Sequence, residues 1–233
     1  MRVKADIRGR AMAWLFLMCT LLGCLLAVTL RAEHYRSYWG MAPDFRSSNG
    51  WLLRNDDSYK LFEVIPRALN GDLDALRLHV RDVAGQEKQA FTEREIAHMA
   101  DVAELFRLAK IVLSVCGAML FALAIWTYSR RRCGGNVTGI AKGAMWGALD
   151  VLLLIGAVAL WAVIDFRSVF WAFHHIAFAN DLWLLDPIDM LIQMMPQSFF
   201  EWTVIKIGLR WAVCIAIWCT CWSVVRKKAE VKT

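Results

Sequence analysis

Apolar and polar positions along this chain fall into long blocks rather than alternating. Four blocks, 11–30, 111–128, 143–164 and 207–225, are almost wholly apolar. The first two carry no charge, the third only Asp150 and the fourth only Arg210. Crossing a bilayer takes about 20 mostly apolar residues, so each block predicts a spanning helix. Polar connections at 31–110 and 165–206 and a short basic turn, SRRRCGGNVTGIAK, separate them. The pattern predicts an all-α membrane protein with four transmembrane helices and two outward-facing loops, the first long and partly helical. The four blocks and their loops form a single membrane domain over 1–233.

Charge supplies the orientation. The starting MRVKADIRGR, the turn after the second block and the closing RKKAEVKT are all strongly basic, and Lys and Arg flanks stay on the cytoplasmic side. Both termini are therefore expected to be cytoplasmic. The 31–110 connection is long enough to cross regardless of its arginines, so it faces outward together with 165–206. The formal charge of +6 over 233 residues is met by anionic lipid and gives no support to a nucleic-acid partner. A 58% hydrophobic composition with 12 Trp agrees with the membrane class. The first block reads as a retained anchor rather than a signal peptide, because no small-residue cleavage site follows it. Six of the seven cysteines lie in the apolar blocks and Cys133 in the basic turn, so no outward disulfide framework is implied.

Within the first outward connection, 33–57 reads as a turn-rich loop around Pro43. Residues 58–83 read as a helix interrupted at Asn70-Gly71, and Gly85 breaks the chain. The strongest local signal is Thr92-Glu93-Arg94-Glu95, a capping box that starts a helix. Gly117 is the only Gly or Pro between Arg94 and Tyr128, so this helix is expected to run unbroken into the second span. His98 then lies roughly 20 Å before Ile111 along the axis. His98, Asp101, Glu104, Arg107 and Lys110 form a polar ridge on which His98 and Asp101 are neighbours. Taken alone, His98 reads as a half-exposed helix histidine beside an ion-pair neighbour.

The second outward connection contains FHHIAFANDLWLLDP at 173–187. Phe166, Phe170, Trp171, Phe173 and Phe178 suit an interface belt and hold His174 at headgroup level. Asp186-Pro187 reads as an N-cap with proline at the first helical position, and Asp189 as the third-position acid of a short helix that Pro196 stops. Asn180 and Asp181 have no such structural role and are placed to bond a histidine ring or a polar headgroup.

HMADV within FTEREIAHMADVAELF, followed by FHHIAFANDLWLLDP and MLIQMMPQSFF, resembles the paired signatures of the lipoprotein intramolecular transacylase family of bacterial membrane proteins. The resemblance implies an enzyme that moves the sn-2 acyl chain of a lipoprotein's diacylglyceryl-cysteine to that cysteine's α-amino group, giving a lyso-form lipoprotein. It implies two functional histidines, which match His98 and His174, with a variable position at His175. The implied partners are the diacylated lipoprotein N-terminus and membrane lipid. The implied location is the bacterial plasma (inner) membrane, with the site on its outer face. No cofactor or metal is implied.

The residues suit that chemistry independently. An α-amine must lose a proton to attack an ester, and the departing glycerol oxygen must gain one. Amine and ester belong to one substrate, so the enzyme needs no nucleophile of its own. His98 is expected as general base and His174 as general acid or ester-polarising group, with the two roles exchangeable. Asp101, Asn180, Asp181 and His175 are the supporting residues. Asp101 is expected to raise the pKa of His98, with activity falling below about pH 6 to 6.5 as the imidazole protonates. Two other classes remain open: a metal-dependent membrane hydrolase using His98, Asp101, His174, His175 and Asp181, which no HxxxH or HExxH spacing supports, and a non-enzymatic membrane assembly or sensor subunit.

Overall fold

The computed structural model describes residues 6–41, 55–81, 85–133 and 138–230. Four of its helices are long and apolar enough to cross a membrane: α1 Ile7–Thr29, α4 Glu93–Arg132, α5 Thr138–Ile164 and α8 Gln197–Glu230. The four apolar blocks of the sequence fall on these helices. Shorter helices are α2 Ala32–Met41, α3 Asn55–Leu69, α6 Phe166–Ala177 and α7 Met190–Met194. Contacts divide the chain into two units. One holds 1–24, 110–166 and 207–233, and the other 25–109 and 167–206.

The first unit is a helix packing problem solved by missing side chains. A Cβ on Gly9 would lie 2.0 Å from the Ile140 carbonyl, and one on Gly143 would lie 2.0 Å from the Asp6 carbonyl. Only glycine at these positions lets α1 and α5 approach so closely, the small-residue solution of helices that have no hydrophobic effect between them in lipid. Around the seam Met12, Ala13, Leu17, Ile140, Ala144 and Val151 pack with Trp211, Trp218 and Trp222. Two of these indoles satisfy their N–H groups. Trp211 Nε1 donates to Leu17 O at 3.0 Å, and Trp218 Nε1 to Ala144 O at 3.3 Å. Asp150, the single charge of the third apolar block, pairs with Arg10 at 3.5 Å, and the seven cysteines are free thiols.

The second unit has a core of Leu61, Phe62, Ile65, Leu76, Phe91, Ile96, Met99, Leu191, Met194 and Phe199. Here the sequence expectations need three corrections. The segment expected as a loop from 33 is helical over Ala32–Met41, with Tyr35 Oη donating to Thr29 O at 2.9 Å and Tyr38 Oη paired with Ser198 Oγ at 2.6 Å. Its aromatic side chains have tertiary partners that local pattern does not reveal. Of the rest of that expected loop, 42–54 lies outside the described residues and 55–57 forms the start of α3.

Secondly, the helix expected to resume after Asn70-Gly71 does not. Gly71 takes φ +102°, closing α3 with a left-handed residue, and the chain continues as a 3-10 turn over Leu73–Leu76. An antiparallel pair then follows, β1 His79–Arg81 with β2 Glu87–Gln89, in the register Val80 to Lys88. Val80 buries one side of the first strand.

The third correction concerns Asp186, which does not cap a helix. Its own N–H donates to Asp189 Oδ2 at 2.8 Å, making a tight turn, and α7 starts only at Met190 with Asp189 in the N-cap position.

The capping box forms as expected. The Thr92 N–H donates to Glu95 Oε2 at 2.6 Å, and the Glu95 N–H to Thr92 Oγ1 at 3.3 Å. From there α4 runs 40 residues without a break, about 60 Å of helix against a hydrocarbon core of about 30 Å. Half of it therefore extends beyond any bilayer its apolar stretch 111–128 occupies, and His98 belongs to that extension.

Candidate active site

His98 comes from the second turn of α4 and His174 from the last turn of α6. Their ring centroids are 6.2 Å apart, which fits a pair acting on one small group between or beside them. Aromatic rings wall the pair. Phe178 meets His98 edge-on at 5.2 Å and His174 at 5.5 Å, while Phe170 and Trp183 approach His174 to 4.0 and 5.0 Å. Phe170 sits one helical turn before His174, the spacing that brings two side chains of a helix together.

The two imidazoles differ in their bonding. His174 Nδ1 lies 2.7 Å from the Phe170 carbonyl; a carbonyl only accepts, so Nδ1 carries the hydrogen and the neutral ring leaves its lone pair on Nε2. His98 Nδ1 is buried and has no hydrogen-bond partner among the described residues. Burial pushes the His98 pKa down to about 4, the proximity of His174 adds to this, and the Asp101 charge opposes both. Burial likewise lowers His174, against the bond to Phe170 O and together with His175. Both rings are neutral at pH 7. The expectation that Asp101 raises His98 above its ordinary value is thus reversed: the carboxylate acts in the foreseen direction, but desolvation outweighs it.

Asp101 does not bond His98. Its Oδ2 accepts from Asn180 Nδ2 at 2.9 Å, and Asn180 Oδ1 accepts the Leu182 N–H at 3.0 Å. Asp181 contributes its backbone: Arg94 Nη2 donates to the Asp181 carbonyl at 2.8 Å. Asp101 and Arg94, both on α4, thus fasten the loop that follows α6, which makes Asn180 and Asp181 partners of α4 rather than of an imidazole. His175 is exposed, with its ring 5.9 Å from Trp171 and 5.1 Å from Trp183.

Sequence reasoning overlooked the reach of Arg94 and the wall formed by Trp183, and placed Phe170 in an interface belt rather than against the His174 ring. The i to i+4 spacing of Phe170 and His174 was a usable signal; the reach of Arg94 across 87 positions was not. Among the described residues, no three His, Cys, Asp or Glu side chains converge into a group able to hold a metal.

A family model described as lipoprotein intramolecular transacylase Lit matches residues 12–200. No curated protein matches the chain. The membrane-integral lipoprotein intramolecular transacylase Lit of Bacillus cereus has a similar fold, with a TM-score of 0.72 at 17% identity over 96% of each chain. A histidine-to-alanine variant of the same protein gives 0.70 at 16% identity over 96% of this chain and 94% of the other.

Proposed function

This chain belongs to the lipoprotein intramolecular transacylase Lit family, and is therefore a membrane enzyme acting on lipoproteins; from that premise we propose that it moves the sn-2 acyl chain of a diacylglyceryl-cysteine to the α-amino group of the same cysteine. The observation that carries this reading is the pair of buried, neutral imidazoles at 6.2 Å, one with a fixed tautomer and one without.

The bonding favours exchanging the roles first expected. With its Nδ1–H given to Phe170 O, His174 presents Nε2 as a lone pair and serves as the base. His98, neutral and unbonded at Nδ1, donates an N–H to the ester oxygen and polarises it without surrendering the proton, the role a neutral imidazole of lowered pKa is suited to. The amine nitrogen attacks the acyl carbon as its proton passes to His174 Nε2. Collapse breaks the bond to the glycerol oxygen, and His174 returns the proton there. One C–N bond forms, one C–O bond breaks, and the enzyme ends as it began. Holding amine and ester together contributes on the order of 7 to 11 kcal/mol.

The basic flanks favour a site on the outer face of the bacterial plasma membrane with both termini cytoplasmic. Fragmentation mass spectrometry of a diacylated reporter lipoprotein's N-terminal peptide, produced with and without this protein, tests the transfer: one of the glycerol's two acyl chains appears as an amide on the cysteine nitrogen, and the glycerol keeps the other. An unaltered diacylglyceryl peptide sinks the reading. Cysteine placed at position 98 and labelled by an impermeant reagent tests the face.

A further inference from the structure

Glu95 is a carboxylate with 1% exposure, one turn before His98, and the proposed mechanism leaves it unused. As a cap it needs only Thr92, yet it does more. Oε2 accepts the Thr92 N–H, and Oε1 accepts the N–H of Leu191 at 2.7 Å, 96 positions away. Leu191 is the second residue of α7, where a helix has no partner of its own for an N–H. One buried side chain thus satisfies the starts of two helices.

What those helices carry gives the bond its meaning. The first turns of α4 bring His98. Behind α7, the opening turn of α8 brings Phe200, whose ring lies 5.4 Å from Phe170, the residue whose carbonyl fixes the His174 tautomer. We infer that Glu95 is a positioning residue for the acyl transfer, a latch between α4 and α7 that holds His98 and the support of His174 at their working separation. The inference rests on the transfer reading above.

The chemistry requires a carboxylate and not merely a polar group of that size. Both oxygens face N–H donors, so the amide of a glutamine would leave one donor against another. Burial raises the Glu95 pKa, opposed by the bonds from Leu191 and Thr92. A group whose folded pKa is raised makes its ionised form a cost to the fold above its ordinary pKa. Against that burial, the two N–H donors from Thr92 and Leu191 are what favour the ionised form.

The test compares Glu95→Gln and Thr92→Val with the wild-type full chain in detergent micelles, on a synthetic diacylated lipopeptide. Thr92→Val removes only the capping hydroxyl. The latch predicts that Glu95→Gln lowers kcat about tenfold to 100-fold, the scale of a misplaced catalytic group, with KM changed less than about twofold. Thr92→Val should keep kcat within about threefold. Glu95→Gln at wild-type kcat, or an equal fall in Thr92→Val, overturns the latch while leaving the transfer reading intact. A wild-type protein that transfers nothing overturns the reading itself. Hydrogen exchange of the wild-type chain needs no variant to accumulate. The Leu191 amide should be protected although it lies in the first turn of a five-residue helix, and exchange as fast as in a free backbone overturns the bond.

Discussion

The two units are held together by opposite means. In the first, backbone meets backbone because Gly9 and Gly143 have nothing to put between α1 and α5, and tryptophans close the remaining gaps. In the second, contact runs through long polar and aromatic side chains: Glu95 to Leu191, Asp101 to Asn180, Arg94 to the Asp181 carbonyl. A seam of bare backbone has one fitting geometry and nothing to titrate. Side-chain ties can set the distance between two imidazoles and respond to charge. Chemistry that needs two groups at a set spacing belongs in the second kind of structure.

The largest effect should fall on chemistry alone. His98→Ala and His174→Ala are each expected to lower transfer by roughly 100-fold to 10,000-fold, the usual worth of a proton-transfer group, while thermal stability in detergent changes little. A variant that kept its activity would remove that histidine from the mechanism and dissolve the contrast between the units.

Gly143→Val should do the reverse. Its Cβ would meet the Asp6 carbonyl at 2.0 Å, so α1 and α5 must part, at about 1 to 3 kcal/mol or more. The thermal midpoint should drop, and the molecules that remain folded should retain their specific activity. Unchanged stability would show that the seam is looser than its geometry.

The pH profile sharpens the comparison further. An acid limb from the substrate amine is expected below about pH 8. The base His174, lowered by burial, should add a limb below the ordinary imidazole range, and His98 a further one only near pH 4, since it stays neutral through the range where a free imidazole would charge. Asp101→Asn removes the one influence that raises the His98 pKa, so the His98 limb should move lower still. Transfer should fall only a few-fold, because an asparagine oxygen can still accept from Asn180. A histidine limb at the ordinary imidazole pKa of about 6.5 would show that the base His174 is solvated in the working enzyme. The smallest effect belongs to His175→Ala: the ring is exposed and only electrostatically coupled to His174, so activity should stay within about threefold. If His175 alone proved essential, the register of the pair would be wrong.

What could be read from the sequence was what local pattern determines. Apolar runs located the four long helices, and Thr92 with Glu95 located the start of α4 to the residue. His98 and His174 were found by motif, and the structure brings them together. The helix at Ala32–Met41 escaped notice because its partners, such as Ser198 for Tyr38, are far along the chain. Asp186 was misassigned because an Asp-Pro pair serves a turn as well as a cap. The pKa of His98 was misjudged in sign for a related reason: Asp101 is visible at i+3, whereas the rings that exclude water come from α6 and its loop.

Continuity of α4 also fixes a phase. Each residue of an α-helix advances the chain by about 1.5 Å and turns it by about 100°, and nothing between Glu93 and Arg132 absorbs a change. Inserting one residue after Val102 would swing His98 about a third of a revolution relative to Phe106, and deleting one would swing it the other way. Seven residues, two nearly whole turns, would restore its direction but displace it about 10 Å along the axis. Length variation in homologous chains should therefore collect outside this helix, where an added residue leaves the imidazole's heading unaltered.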